Sequence, residues 1–258
     1  MGQAGGSSGW GRVTFCPRSH LKQYGSERFA AREVFMSLPL RNAFLALLAA
    51  STLCIGCRAA SPIPPAATDA QRAPSPGRAT AVFAGGCFWG TQSVFERVKG
   101  VLDTTVGYAG GSADTATYPQ VTTETTGHAE SVKVVYDPSR ITYGQLLRIF
   151  FSVAHDPTQL NRQGPDVGTS YRSAIFYSNE EQRHIAQAYI AQLDQAHAFR
   201  GKIVTQVTPL KGFYDAEEYH QHYADQNPDN PYILVCDRPK IQALKAQFPE
   251  LFEEFHPR

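Results

Sequence analysis

The feature that most constrains this chain is an apolar stretch that ends in two glycines and a cysteine, TAVFAGGCFWG at residues 80–90. The apolar residues before Gly85 predict a strand, and the Gly85-Gly86 pair predicts the turn that follows it. Apolar residues at three- and four-residue spacing then predict a helix over residues 88–98 that buries one stripe. Cys87 is therefore expected at the first turn of a helix, directly after a strand.

The position of Cys87 favours an anionic sulfur. Unpaired backbone N–H groups and the positive end of the helix dipole lower the pKa of a thiol at a helix N-terminus. We expect Gly85-Gly86 to leave the approach to the sulfur open, and Phe88 and Trp89 to supply an apolar wall. One interpretation is a nucleophilic thiolate in a pocket, and the other is a small apolar residue that fills the junction between strand and helix.

A second chemical group stands in the predicted strand 130–136. Glu130 lies at the end of its more apolar face, which also carries Val132, Val134 and Tyr136. Burial disfavours the charged form of a carboxyl group, raises its pKa and makes it a potential proton donor. A structural role, as partner of an arginine or of backbone N–H groups, is the alternative.

Further short motifs follow one another within residues 80–240: GHAE at 127–130, YDP at 136–138, HDP at 155–157, QG at 163–164 and GTSYRSAI at 168–175. Together with GCFWG at residues 86–90, they resemble the A-type peptide methionine sulfoxide reductases. The resemblance implies thiol-dependent reduction of methionine-S-sulfoxide, free or in proteins, to methionine. A sulfenic acid on Cys87 would be the intermediate.

The resemblance also implies a role for each member of a common pocket. The catalytic set would be the nucleophile Cys87, the proton donor Glu130 and the hydroxyl donors Tyr118 and Tyr171. The S-methyl group of the substrate would lie against Phe88 and Trp89, with Asp166 steadying the pocket.

Two other functions remain open from the residues themselves. A cysteine hydrolase or acyltransferase would use His128 or His155 as its base, and it predicts a histidine hydrogen-bonded to the sulfur of Cys87. A non-catalytic exported lipoprotein would instead bind ligands through the aromatic cleft. Loss of function in Cys87→Ser separates an enzyme from the binding protein.

Cys236 is the other cysteine of the predicted domain. The surrounding tail resembles the family's Tyr-Ile-Val-x-x-Asp-x-Pro-Lys type rather than the type with a C-terminal resolving cysteine. Cys236 is therefore either the thiol that resolves the sulfenic acid or a buried strand cysteine. We expect no bound cofactor and an external thiol reductant, either a thioredoxin-like protein or a small dithiol.

The composition argues against several other classes. A formal net charge of +1 gives no basic surface for nucleic acid, and five scattered cysteines match neither a disulfide scaffold nor a zinc site. The resemblance implies oxidised proteins or peptides and a thioredoxin-like reductant as partners, and we expect a monomer. A metal site is not expected.

The segments before the domain predict export. Residues 1–35 read as a disordered or untranslated extension, and residues 36–57 as a signal peptide of the lipoprotein type that ends at Cys57. The Pro/Ala-rich residues 58–79 would be an extended tether, followed by the reductase domain at residues 80–258. The expected location is the periplasm, with a lipid anchor at Cys57, or the cytoplasm if the signal does not function.

Strands and helices alternate along the domain, which predicts an α/β (α+β) two-layer sandwich with helices on a mixed sheet and a ferredoxin-like core. Further strands are expected at residues 101–107, 171–177 and 202–207, and helices at residues 142–153, 179–196, 217–226 and 239–248.

Overall fold

The computed structural model describes residues 63–255. The predicted extension and signal peptide, including Cys57, lie outside the described residues. Among residues 63–255, no helix combines the length and the apolar composition that a membrane span requires.

Within residues 63–255, six strands form one mixed sheet, and two further strands form a small hairpin. The strands are β1 (Ala79–Gly85), β2 (Val101–Ala109), β3 (Ala129–Tyr136), β4 (Arg162–Gln163), β5 (Asp166–Val167), β6 (Ser173–Tyr177), β7 (Gln206–Pro209) and β8 (Phe213–Asp215). The large sheet has the order β7-β6-β1-β3-β2-β8, and β4 pairs with β5. All neighbours in the large sheet are antiparallel except β6 and β7.

In the described part of the chain, six α-helices accompany the sheet: α1 (Phe88–Phe95), α2 (Tyr118–Val121), α3 (Tyr143–Ile149), α4 (Glu180–Gln195), α5 (Tyr223–Gln226) and α6 (Arg238–Gln247). The central order β6-β1-β3-β2, with α1 between β1 and β2 and α3 between β3 and β6, is the arrangement of a ferredoxin-like core. The predicted fold class is therefore confirmed. Two helices have side-chain caps, because Thr142 begins α3 with a capping box and Asn179 accepts a hydrogen bond at the start of α4.

The two faces of the sheet follow the period of two in β3. Val132, Val134 and Tyr136 belong to the large core cluster under the helices, together with Phe83 of β1. The intervening residues of β1 and β3 contribute to a smaller cluster on the other face, which includes Val82 and Ala129. Glu130 has the same parity as Val132, so its side chain points toward the face that carries α1.

Helix α1 is shorter and more deeply buried than its spacing predicts. It ends at Phe95 rather than near Val98, and Trp89 is its one residue that keeps appreciable exposure. The helix is enclosed because it packs against α6 and α5 as well as against the sheet. The prediction of a single buried stripe was therefore wrong.

The C-terminal third departs most from the predicted elements. The predicted strand at residues 202–207 forms later, as β7, and the predicted helix at residues 217–226 is broken because His222 has a left-handed backbone with φ of 55°. Cys236 lies in a π-helical turn, Ile233–Asp237, and is half-buried. The expectation of a buried strand cysteine was therefore wrong.

Residues 63–78 of the predicted tether are packed on the domain. The Ile63 carbonyl accepts from Arg148 Nε at 2.8 Å, and the Tyr189 hydroxyl donates to the Pro64 carbonyl at 2.6 Å. Asp69 Oδ1 accepts the backbone N–H of Gly144 at 2.7 Å at the start of α3. Composition predicts an extended chain here, but the prolines leave carbonyl groups free that these polar side chains bind.

Candidate active site

Strand pairing brings Cys87 and Glu130 to the same edge of the sheet. In the antiparallel ladder of β1 and β3, Phe83 pairs with Val132, so Glu130 lies level with the end of β1, where α1 begins. The backbone N–H of Phe88 donates a hydrogen bond to Glu130 Oε2 at 3.0 Å. Glu130 is thus held against the first turn of the helix that carries Cys87.

Glu130 carries the most informative pKa of the site. The residue is only 3% exposed, and burial raises its pKa to about 8. The Phe88 N–H bond opposes this shift, while the nearby Asp166 and Glu124 carboxyl groups add to it. At neutral pH most Glu130 is therefore a neutral carboxylic acid, as the strand pattern predicts.

The prediction of a lowered pKa for Cys87 was wrong. Cys87 is buried, and burial raises the pKa of its thiol well above the ordinary value, with Glu130 and Asp237 raising it further. The backbone N–H of Trp89 and the Lys240 ammonium oppose this, but the helix N-terminus does not outweigh desolvation. The resting sulfur is therefore a protonated thiol.

The two glycines before Cys87 accommodate packing against other segments. A Cβ on Gly86, where φ is 88°, would lie 2.5 Å from the side chain of Gln163. A Cβ on Gly85 would approach Phe150 at 3.0 Å and His155 at 3.1 Å. The expected open approach to the sulfur is therefore not what these glycines provide, because the space is filled by other side chains.

Tyr118 and Tyr171 lie within electrostatic reach of both Glu130 and Cys87. Both are half-buried, Tyr118 as the first residue of α2 and Tyr171 at the end of a 3₁₀ turn before β6. Burial raises the pKa of both hydroxyls, and the charges of Glu130 and Cys87 contribute to each shift. The two hydroxyls are thus protonated donors within electrostatic reach of the acid and the thiol.

The aromatic wall is formed by Phe88, Trp89 and their neighbours. The Phe88 ring is buried, with its centroid 6.0 Å from that of Tyr108. The Trp89 ring stacks on Tyr223 with centroids 3.9 Å apart, and its Nε1–H donates to Nδ1 of His220 at 3.2 Å. Trp89 is therefore the fixed, partly exposed member of the wall.

Asp166 reaches this wall through a residue that the sequence analysis missed. The Tyr232 hydroxyl donates to Asp166 Oδ2 at 2.5 Å, and the Tyr232 ring meets the edge of Trp89 at 6.1 Å between centroids. Among the causes that raise the pKa of Tyr232, burial comes first and the Cys87 charge second, so this hydroxyl also lies close to the sulfur. The available signal in the sequence was the Tyr-Ile-Val-x-x-Asp-x-Pro-Lys type tail, whose first residue is Tyr232.

Two further contacts were not predicted. His220 is buried, with its ring centroid 5.1 Å from that of Phe88 and 4.5 Å from that of Tyr118. Glu217 accepts the Tyr118 backbone N–H at 2.9 Å and the Tyr108 hydroxyl at 2.9 Å. Both residues lie in the segment that was predicted as one polar, aromatic-studded helix, and no spacing rule singles them out.

The two histidines proposed as bases are occupied elsewhere. His128 binds the Ser112 carbonyl through Nε2 at 2.9 Å and the Gly111 N–H through Nδ1 at 3.3 Å. His155 contacts the Phe150 carbonyl at 3.1 Å and Ser173 Oγ at 2.7 Å, and burial lowers its pKa to about 4. Because both nitrogens of each ring are engaged, the hydrolase prediction of a histidine on the sulfur was wrong.

Cys87 and Cys236 are both free thiols. Within residues 63–255, no group of three or more His, Cys, Asp or Glu side chains is arranged to hold a metal ion. The site therefore brings together a thiol, a neutral carboxylic acid, phenol hydroxyls and an apolar wall. A cysteine thiol beside a protonated carboxylic acid on this fold is the set of groups that an enzyme with thiol-based catalysis requires.

Known proteins match this chain over most of the described residues. The sequence profile of the family described as peptide methionine sulfoxide reductase matches residues 79–251. A peptide methionine sulfoxide reductase, MsrA 2, of Mesorhizobium japonicum is 57% identical over 180 residues, which cover 70% of this chain and 92% of the relative. The MsrA 2 protein of a Synechocystis species is 52% identical over 174 residues, covering 67% of this chain and 81% of the relative.

Solved structures agree with these sequences. The reduced form of Mxr1 from Saccharomyces cerevisiae is 36% identical with a TM-score of 0.55, and the match covers 63% of this chain and 92% of Mxr1. Methionine sulfoxide reductase A of Corynebacterium diphtheriae is 38% identical with a TM-score of 0.51, covering 65% of this chain and 82% of that protein. The chain belongs to the peptide methionine sulfoxide reductase family, A type. It is a peptide-methionine (S)-S-oxide reductase, an enzyme of protein repair.

Proposed function

We propose that Cys87 and Glu130 carry out the reduction of methionine-S-sulfoxide in this chain, as nucleophile and proton donor. The observation that carries this assignment is the buried Glu130 carboxyl group, whose pKa of about 8 keeps it protonated at neutral pH beside the turn that holds Cys87. A sulfoxide sulfur is electrophilic only when its oxygen receives a proton or a strong hydrogen bond.

Reduction of the sulfoxide to the sulfide oxidises the Cys87 thiol by two electrons to a sulfenic acid. The Cys87 thiol loses its proton to solvent, and the thiolate attacks the sulfoxide sulfur while the sulfur–oxygen bond breaks. Glu130 and solvent each give the oxygen a proton, so it leaves as water and a sulfur–sulfur bond joins Cys87 to the substrate. Water then attacks the Cys87 sulfur and releases a proton to solvent, the sulfur–sulfur bond breaks with its electron pair going to methionine, and Cys87 is left as a sulfenic acid. Glu130 then recovers its proton from solvent, so thiol plus sulfoxide gives sulfenic acid plus sulfide.

Protonation of Glu130 also helps Cys87 to ionise. The ionised Glu130 carboxylate is one of the charges that raise the pKa of the thiol. When Glu130 carries its proton that charge is absent, so the thiolate meets less repulsion. The state in which Glu130 is a useful acid is thus also the state that favours the nucleophile.

The remaining pocket residues bind and orient the substrate. Tyr118 and Tyr171 donate hydroxyl hydrogen bonds to the sulfoxide oxygen, which supplements the Glu130 proton. Phe88 and Trp89 contact the S-methyl group, where burial of one methyl contributes about 1 kcal/mol. Asp166 steadies this wall through Tyr232, and its hydrogen bond to the Tyr232 hydroxyl supports that role.

Cys236 is proposed as the thiol that resolves the sulfenic acid. It is free and half-buried, and the residue that follows it, Asp237, packs against Gly90 in the first turn of α1. Condensation of the Cys236 thiol with the sulfenic acid forms a disulfide and releases water. A thioredoxin-like protein or a small dithiol then reduces the disulfide, and no bound cofactor is needed.

Export of the enzyme as a monomeric lipoprotein is a proposal from the sequence. The signal-like residues 36–57 and the cysteine at their end support acylation at Cys57. Mass spectrometry of the N-terminal peptide from membranes tests this. A lipidated peptide that begins at Cys57 is expected, and an intact N-terminus on protein from the cytoplasm would contradict it.

The central assay incubates the full chain with a methionine-S-sulfoxide peptide and dithiothreitol and measures the formation of methionine. We expect turnover in the wild type, none in Cys87→Ser and a loss of about a hundredfold or more in Glu130→Gln. Glu180→Gln, on the exposed face of α4, is the matched control and is expected to keep full activity. Normal turnover in Glu130→Gln would remove the proton-donor assignment.

A further inference from the structure

A buried ion pair lies near Cys87 and has no place in the mechanism above. Asp237 is 0% exposed, and its Oδ1 accepts a hydrogen bond from Lys240 Nζ at 3.2 Å. Its Oδ2 is also buried and has no hydrogen-bond partner. Burial of a carboxylate that is only half-satisfied is costly, so its retention calls for a physical reason.

The pair lies against the first turn of α1. A Cβ on Gly90 would lie 1.9 Å from Asp237 Oδ1 and 2.6 Å from Lys240 Nζ, so only a glycine leaves room for the pair. Cys87 is the residue that caps the N-terminus of α1, three residues before Gly90, and both charges of the pair lie within electrostatic reach of its sulfur. The pair therefore stands beside the thiol, on the side of α1 that α6 covers.

The two charges act on Cys87 in opposite directions. The Asp237 carboxylate raises the pKa of the Cys87 thiol, whereas the Lys240 ammonium lowers it. Burial also raises the pKa of Asp237 itself, and Lys240 is what opposes that shift most. Loss of either partner thus changes the charge that the sulfur experiences.

We propose that the Asp237–Lys240 pair is a positioning element that controls how readily Cys87 ionises. Lys240 is the cation that stabilises the thiolate, and Asp237 is the carboxylate that holds the ammonium beside the first turn of α1. The proposal rests on the nucleophilic role of Cys87. It adds a source of positive charge that the helix N-terminus alone does not supply.

Other titratable groups face the same atoms and have to be separated from the pair. Cys87 is also within electrostatic reach of Glu130 and of three tyrosine hydroxyls, those of Tyr118, Tyr171 and Tyr232. Asp166 faces Asp237, while His155 and Cys236 face Lys240. Glu130 is the neighbour that titrates near neutral pH, at about 8, so the test is made in a Glu130→Gln background.

The test measures the rate at which iodoacetamide alkylates Cys87, followed by mass spectrometry of the Cys87 peptide as a function of pH. Lys240→Met keeps the side-chain stem and is expected to move the midpoint up by about one pH unit, which slows alkylation about tenfold near pH 7. Asp237→Asn is expected to move the midpoint down, and the double variant should fall between the two. Lys240→Arg keeps the positive charge, so its alkylation midpoint should stay close to that of the chain with Lys240. Lys245→Met is the exposed control on the same helix and should not move the midpoint.

A purely structural role of the pair would not move the alkylation midpoint in opposite directions in Lys240→Met and Asp237→Asn. Slower alkylation in both single variants with an unchanged midpoint would overturn the proposal. If Lys240→Met does not fold, Asp237→Asn decides alone, because an unchanged or raised midpoint contradicts the assignment. Alkylation needs no sulfoxide, so this result is independent of whether the chain turns over methionine sulfoxide by the proposed steps.

Discussion

The backbone N–H of Phe88 donates its hydrogen bond to Oε2 of Glu130, although 42 residues separate the two in the chain. This bond holds the acid against the helix that begins after Cys87. It also stabilises the ionised carboxylate, and so limits how far burial raises the Glu130 pKa. The resulting value of about 8 suits a proton donor that works at neutral pH.

The pH profile of kcat/KM should change slope at the Glu130 pKa. In the proposed mechanism, turnover needs a Cys87 thiolate together with a protonated Glu130, and below pH 8 the thiolate fraction grows with pH while the acid stays protonated. Above about 8 the gain in thiolate is offset by the loss of the acid, so the rate should level off. Steady-state rates from about pH 6 to 10 measure this.

Glu130→Gln provides the control for that profile. Its activity should be low, but the rate should continue to rise past pH 8, because only the thiol titrates. A wild-type profile that rises through pH 8 without a break would assign the proton transfer to another group.

Glu130 should also make the folded state less stable as pH rises. Its pKa is raised from 4.5 to about 8, so between these values the folded chain keeps a proton that the unfolded chain releases. The free energy of unfolding therefore falls with pH over this window, relative to a chain without the group. Urea unfolding at about pH 5 and pH 8 should show a loss of a few kcal/mol in the wild type that Glu130→Gln lacks. Parallel profiles for the two proteins would contradict the raised pKa.

Gly90→Ala should destabilise the protein although it adds a single methyl group. The new Cβ would overlap Asp237 Oδ1 at 1.9 Å, and Asp237 is fully buried and held by Lys240. We expect a loss of about 1–3 kcal/mol, as for other overpacked sites. In Gly77→Ala the added Cβ would lie 3.7 Å from Pro138, an ordinary contact, so this control should unfold at the wild-type temperature. Equal melting temperatures for the two variants would contradict the close packing at Gly90.

Cys236→Ser should separate the two kinds of reductant. A small dithiol can reduce the sulfenic acid on Cys87 directly, so turnover with dithiothreitol should be retained. Thioredoxin acts on a disulfide, so turnover with thioredoxin should be lost if Cys236 forms that disulfide. Rates with both donors, compared with the wild type, make the measurement. Equal retention of both activities would argue against Cys236 as the resolving residue.

Asp69→Ala should destabilise the domain from a segment outside the family match. Asp69 accepts the Gly144 N–H at the start of α3 and also contacts the Thr142 hydroxyl. Loss of such a cap costs about 0.5–2 kcal/mol. Asp229→Ala, at an exposed position, is the matched control in thermal unfolding and should leave the midpoint unchanged. A wild-type midpoint in Asp69→Ala would indicate that residues 63–78 contribute little to stability.

Local patterns were sufficient to place the central pair of groups. The glycine turn after β1 and the period of two in β3 put Cys87 and Glu130 in their correct elements and on the correct face. The prediction of a lowered pKa for Cys87 was wrong because this pKa depends on burial and on Asp237, which lies 150 residues away in the chain. A helix N-terminus can be read from neighbouring residues, whereas the solvent that surrounds a sulfur atom is set by the whole fold.

The residues that support the aromatic wall could not be predicted from the sequence, for a similar reason. Trp89 was visible beside Cys87, but Tyr223, Tyr232 and His220 contact it only after the chain has crossed the sheet. The segment that carries two of them was predicted as one helix, and the left-handed residue His222 interrupts it. No periodicity in the sequence signals such a break, because a left-handed backbone is uncommon for residues other than glycine and leaves the polar pattern of the helix unchanged.

The register of the ladder between β1 and β3 sets where Glu130 lies relative to Cys87. Glu130 reaches the sulfur side of the sheet only in the register that pairs Phe83 with Val132. A slip of a single residue would turn its carboxyl group to the opposite face, into the small cluster around Ala129. Insertions within the loop that precedes β3 leave this alignment intact, whereas one extra residue between Glu130 and Val132 would uncouple acid from nucleophile without touching either.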